Sequence, residues 1–245
     1  MPKGGDWTPL KNNATNFVRE GGQGSISPGR LLGGYLQANG GAQALSRGTG
    51  GGGKRGSSRH GIGSSARTTI TKLGGFLSGV ASKGLDNTLR DFGLDDLIGK
   101  TATEVCSGLL QEFTSEAKTL DEFATRAAFD NILTDLFEKD EQYEDIEDSI
   151  NQALDEKGLL QIMGEFFGHY LYELFCRDFY EDWQKKVGAN QAKNSLKQVK
   201  DCIFSEVRSK LVDKSYNTSD WTGKEGQELA DQIMQDTLNI FGVLS

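Results

Sequence analysis

The chain has 245 residues, enough to bury a core without disulfide or metal staples. Its 36% hydrophobic share leaves no run of about 18 apolar residues, which excludes a membrane-spanning helix. The start, Met1-Pro2-Lys3-Gly4-Gly5-Asp6-Trp7, lacks the charged and apolar regions of a secretory signal, and with only three cysteines, at 106, 176 and 202, a reduced, cytoplasmic protein is predicted.

The formal charge of −8 is unevenly spread. Residues 1–67 hold nine basic and two acidic side chains, which leaves 18 basic and 33 acidic for residues 68–245, so a segment of +7 is joined to one of −15. The first segment also holds 18 of the 32 glycines and all three prolines (Pro2, Pro9, Pro28). Glycine loses the most backbone entropy on ordering, so residues 1–66 are read as a Gly-rich, basic, largely extended tail and linker, and residues 67–245 as the helical domain.

Within the tail, Trp7, Leu10, Phe17 and Val18 stand out as apolar anchors, either for a groove on a partner or for folding back onto the body. Ser27 to Ala44, with Leu31, Leu32, Tyr35 and Leu36, predicts one short helix over 27–45. Gly48 to His60 reads as a flexible basic linker. No proline follows residue 28, so long helices are permitted. Ile70, Leu73, Leu77, Val80 and Leu85 recur at helical spacing with an interruption at Lys83-Gly84, and Asp95 to Ile98 makes a short turn before a helix from Thr103. Phe129, Ile132, Leu133, Leu136 and Phe137 form a further stripe. Met163, Phe166, Phe167, Tyr170, Leu171, Leu174 and Phe175 sustain the pattern over three turns and mark the core helix. Segments at 190–213 and 224–243 complete an all-α antiparallel bundle of six to eight helices.

No motif carries a chemistry. Gly48-x-x-x-x-Gly53-Lys54 imitates a phosphate loop, but Arg55 stands where a magnesium-binding hydroxyl belongs and no strand precedes it. Glu165, His169 and Glu173, at i, i+4 and i+8, could present metal ligands, yet a fourth is missing and a solvated or hydrogen-bonded helix face is the default. Cys176 falls beside the core stripe and reads as a buried small hydrophobe. The acidic run Glu138 to Asp148 faces water or holds the basic tail by charge. The tail has few aromatics to stack bases and the negative body repels a duplex, so direct nucleic-acid binding is not expected. No catalytic, cofactor-binding or metal residue is assigned.

A resemblance adds what motifs do not. Trp7-Thr8-Pro9-Leu10-Lys11, Ala14 to Gly22 and Leu31 to Ala42, then Ala66-Arg67, Leu73 to Leu77, Gly84-Leu85, Leu94 to Lys100 and Asp121-Glu122 with Arg126-Ala127-Ala128, resemble the QatB-like component of Qat-type bacterial anti-phage defence systems. The likeness fades beyond about residue 180. It implies a non-enzymatic component whose N-terminal tail docks into, and is a candidate for modification by, a QueC-like (QatC-type) partner resembling deazaguanine-nitrile synthetases. An ATPase (QatA-type) and a TatD-like hydrolase (QatD-type) would be further partners. The residues assigned to partner binding are Pro2, Lys3, Gly4, Gly5, Asp6, Trp7, Leu10, Phe17 and Arg126. For Arg126 two readings stand: an exposed i, i+4 pair with Glu122, or a guanidinium that organises the tail helix against the acidic body. The alternative to a defence component is a structural or scaffold protein of a phage or secretion system.

The breaker distribution makes one direct prediction. Limited proteolysis of the isolated protein should cut first between Gly48 and Arg59 and leave residues 67–245 as a resistant helical fragment.

Overall fold

The computed structural model describes residues 7–41, 63–137, 142–211, 221 and 224–242, and among these the chain forms ten α-helices, one 3-10 turn and no strand. The all-α bundle expected from the periodicity is therefore the architecture. The helix expected over 27–45 is α2 (Pro28–Ala38), entered through Pro28 and capped by Ser27 Oγ, which accepts from Arg30 N at 3.2 Å. The run from Ile70 is α3 (Ser64–Lys83), and the interruption at Gly84 separates it from α4 (Leu85–Asp91). Asp95–Leu97 is the 3-10 turn, and Thr101 and Glu104 close a reciprocal capping box at the start of α5 (Ala102–Phe113). Then come α6 (Leu120–Phe137), α7 (Tyr143–Lys157), α8 (Leu159–Val187), α9 (Ala189–Lys210) and α10 (Lys224–Gly242).

Two helices go beyond the sequence expectation. One is α7, built from the acidic run, which buries Ile146 and Ile150. The other is α1 (Trp7–Arg19), in the stretch read as tail; it buries Leu10, Ala14, Phe17 and Val18. Of the two readings of those apolar residues, the structure follows the fold-back one, and α1 and α2 share one core cluster with the rest of the bundle. The glycines did not prevent this because none of them falls inside α1, where the apolar spacing is 3 to 4 residues.

At the centre lies α8, whose buried residues run from Ile162 to Trp183 and lie all around its circumference. It packs most extensively on α6 and α9. Gly164 and Gly168 allow α9 to come close: a Cβ at Gly164 would sit 2.2 Å from Leu211 Cδ1 and one at Gly168 3.1 Å from Ile203 Cγ2. The aromatic end of α8 is covered by α1 and α2, with Phe17 on Trp183 (centroids 5.8 Å) and Tyr35 on Phe175 (5.4 Å) and Phe179 (6.1 Å).

Three corners of the bundle are single glycines. Gly84 (φ 84°, ψ 166°), Gly158 (77°, 154°) and Gly188 (81°, 162°) each end one helix and begin the next. Positive φ with extended ψ is essentially a glycine conformation, so the sharp reversals at α3–α4, α7–α8 and α8–α9 are tied to these positions.

The start of α3 is fixed from outside. Asp121, buried on α6, accepts from Gly63 N (2.8 Å), Ser65 N (2.9 Å) and the hydroxyl of Tyr170 on α8, so one carboxylate joins three elements. Burial and the neighbouring Asp121 push the Tyr170 phenol well above its usual range, which keeps it a donor. Removing the carboxylate strands three donors, two buried and one half-buried, so Asp121→Ala should cost about 3 kcal/mol or more. Calorimetry should show Tm lower by about 6–12 °C.

Candidate functional site

The residues assigned to partner binding fall into three environments. Pro2, Lys3, Gly4, Gly5 and Asp6 lie outside the described residues. Leu10 and Phe17 are buried, at 4% and 0% exposure, in the chain's own core, and so anchor α1 rather than a partner. Trp7 is half-buried at the first position of α1, packed edge-on against Tyr35 with centroids 5.9 Å apart at 88°. The Tyr35 hydroxyl donates to Asp178 Oδ2 at 2.9 Å, and burial together with Asp178 pushes its phenol well above the usual range. Arg177 in turn donates from Nε (2.8 Å) and Nη2 (2.9 Å) to Asp178. Further straps run from Lys186 Nζ to Thr15 Oγ1 (2.8 Å), from Gln191 Nε2 to the Val18 carbonyl (2.7 Å) and from Gln198 Nε2 to the Gly21 carbonyl (2.9 Å). Among the described residues no ion pair joins α1 or α2 to the body. Among the described residues, α1 and α2 are held on the body by aromatic burial and by hydrogen bonds, of which those to Asp178 and from Lys186 are charge-assisted and those from Gln191 and Gln198 neutral.

Arg126 follows neither of its two readings. Its Nη1 donates to Thr114 Oγ1 (2.9 Å) and to the Leu110 carbonyl (3.4 Å), and so ties α6 to the last turn of α5. Glu122, its expected partner, accepts instead from Lys118 N (2.9 Å) and Thr119 N (2.6 Å) at the start of α6. A hydrogen bond with the Thr119 side chain, and after it those two backbone bonds, hold its carboxyl below the usual range. A helix N-terminus outbids a side-chain ion pair here because its free N–H groups and dipole both favour the carboxylate. The acidic run is used in the same way: Glu147 Oε2 accepts from Leu85 N at 2.7 Å, at the start of α4.

The Glu165–His169–Glu173 face of α8 is divided in use. Glu165, 2% exposed, is held by Lys157 Nζ (3.0 Å), Arg208 Nε (3.3 Å) and Gln161 Nε2 (3.3 Å), a buried carboxylate neutralised by two cations. Burial pushes the Glu173 carboxyl above its usual range. Among the described residues no group of three or more His, Cys, Asp or Glu side chains is placed to hold a metal ion. His169, 3% exposed, stands differently, because neither ring nitrogen has a hydrogen-bond partner. Asp135 Oδ2 lies 3.6 Å from Nε2, an ion-pair rather than a hydrogen-bond distance, and the imidazole holds the Asp135 carboxyl below its usual range against its partial burial. The ring packs edge-on against Phe204 at 4.5 Å. His169 and Asp135 border a pocket of about 700 Å³ between α6, α8 and α9, completed by Lys200, Phe204, Ser205 and Arg208. The α9 side of this pocket was not legible in the sequence: Lys200, Phe204 and Arg208 share a face only through their i, i+4, i+8 spacing, which also suits a solvated stripe.

The cysteines are free, and burial pushes the Cys176 thiol up to about 11, which keeps it protonated at neutral pH. The Gly48–Lys54 loop and His60 lie outside the described residues.

The family model described as "QatB: Qat anti-phage system associated protein QatB" matches residues 51–241. The match thus runs well past residue 180, where the likeness read from the sequence fades, and it leaves α1 and α2 outside the matched stretch. No curated protein and no solved structure matches.

Arg126→Ala removes the donor to the Thr114 hydroxyl at the α5–α6 joint, while the Leu110 carbonyl keeps that hydroxyl as its donor, and should cost about 1–2 kcal/mol, with Arg126→Lys recovering part of it. Chemical denaturation measures the loss, and pull-down of partners by the folded variant should be unchanged.

Proposed function

Because the chain belongs to the QatB family of Qat anti-phage system associated proteins, we propose that it serves that system as a non-enzymatic docking component. In this reading Pro2 to Asp6 enter the active-site channel of the QueC-like component. The ATPase and the TatD-like hydrolase of the same system are the other partners.

The observation that carries the reading is how α1 is fixed. Trp7 rests on Tyr35, and Tyr35 is held by Asp178, so the residues ahead of Trp7 start from a point bolted to the bundle. A segment presented from a fixed base loses less freedom on binding than one on a free tether. Gly4 and Gly5 have no side chain to clash with a narrow channel. The non-enzymatic part of the reading is supported by how the buried acids are used: Asp121 and Glu165 hold helices together, and Cys176 is kept as the thiol.

Deleting residues 2–6 leaves α1 whole and should abolish binding to the QueC-like partner in titration calorimetry. Undiminished affinity would transfer the contact to the helical body. Trp7→Ala should weaken the complex about thirtyfold, with thermal unfolding recorded alongside because Trp7 also packs on Tyr35.

A further inference from the structure

The two ends of α1 are held by different means. Its second half and the turn after it are strapped to α8 and α9 by hydrogen bonds at Thr15, Val18 and Gly21. Its first turn rests on α2. Trp7 meets the Tyr35 ring edge-on at 5.9 Å, and Leu10 Cδ1 lies 3.5 Å from where a Cβ at Gly34 would stand. The place of the indole therefore follows the place of the Tyr35 ring.

That ring has two kinds of support. Phe175 and Phe179 flank it at 5.4 Å and 6.1 Å, which buries the ring, but apolar contact is non-directional and leaves its exact tilt loosely fixed. The hydroxyl supplies the direction: it donates to Asp178 Oδ2 at 2.9 Å, and a bond from a hydroxyl to a carboxylate is both charge-assisted and angle-dependent. Asp178 is fixed in turn by Nε and Nη2 of Arg177, so the acceptor does not follow the ring if the ring moves.

We infer that Tyr35 and Asp178 are positioning residues for the docking segment: through Trp7 they set the base from which Pro2 to Asp6 are presented, and Tyr35 does so without touching the partner. This rests on the docking reading given above. Tyr35 is 1% exposed, so a partner seated on the N-terminus has no access to it, and an effect of its hydroxyl on affinity has to travel through the residue it carries. A ring freed from Asp178 lets Trp7 sample more orientations in the free protein. That freedom is lost on binding, which lowers affinity although no contact with the partner has been removed.

Tyr35→Phe keeps the ring and its aromatic neighbours, and thermal unfolding recorded alongside checks that the fold is retained. Titration calorimetry of the full chain against the QueC-like component should show affinity lower by about five- to tenfold for Tyr35→Phe, and by a similar factor for Asp178→Ala. In a Trp7→Ala background Tyr35→Phe should cost no more than about twofold further, because the hydroxyl acts only through the indole. A hydroxyl with a merely structural role would lower Tm and leave the affinity of the folded protein unchanged, and that result overturns the inference. So does a five- to tenfold loss that persists in full without Trp7. Deletion of residues 2–6 separates the two readings. If the deletion abolishes binding while Tyr35→Phe binds as the parent does, docking stands and the positioning role falls; if the deletion leaves affinity undiminished, the docking reading falls and takes the positioning role with it.

Discussion

The rest of the structure depends on the burial of α8 around its whole circumference. A helix with one apolar stripe needs a single neighbour, but one that buries Met163, Phe166, Tyr170, Phe175, Phe179 and Trp183 needs cover on every side. Helices α6 and α9 close most of its length, and the aromatic end beyond Phe175 would stand open without α1 and α2. Each large aromatic there withdraws about 150–250 Å² from water, which outweighs the entropy of ordering a glycine-bearing segment. The N-terminal helices are therefore part of the bundle, although the family match begins only at residue 51.

The acidic character of the bundle has a local use. Asp121, Glu104, Glu122 and Glu147 all accept from backbone N–H groups at or next to helix starts, where free donors and the helix dipole stabilise a carboxylate. Glu165 is the exception, a buried carboxylate held by side-chain cations from α7 and α9. Placed in this way, these carboxylates satisfy helix starts and join neighbouring helices.

Close approach completes the frame. Single-residue reversals at Gly158 and Gly188 turn α8 back against both of its sequence neighbours, and Gly164 and Gly168 let α9 lie near its backbone. Because α9 sits so close, Phe204 reaches the His169 ring and Lys200 and Arg208 line the same pocket. The pocket is thus a product of helix packing rather than of any local motif.

By itself the sequence determined the helical class, the course of α8 from its stripe at Met163 to Phe175, the break at Gly84 and the absence of a catalytic motif, because helical periodicity and breakers act over a few residues. It also carried the family, in small-residue helices and glycine turns spread along the chain. Only the tertiary structure decided that Leu10 and Phe17 belong to the core, that Arg126 serves the end of α5 rather than Glu122, and that Glu165 is neutralised while His169, one turn away, is left without a hydrogen bond. Composition averages the glycines of residues 1–66 over a stretch in which α1 has none, and so hides a helix. Pairings between residues 40 or more apart, such as Arg208 with Glu165, depend on which helix faces meet, and that is settled by the packing of whole helices around α8 rather than by any spacing along the chain.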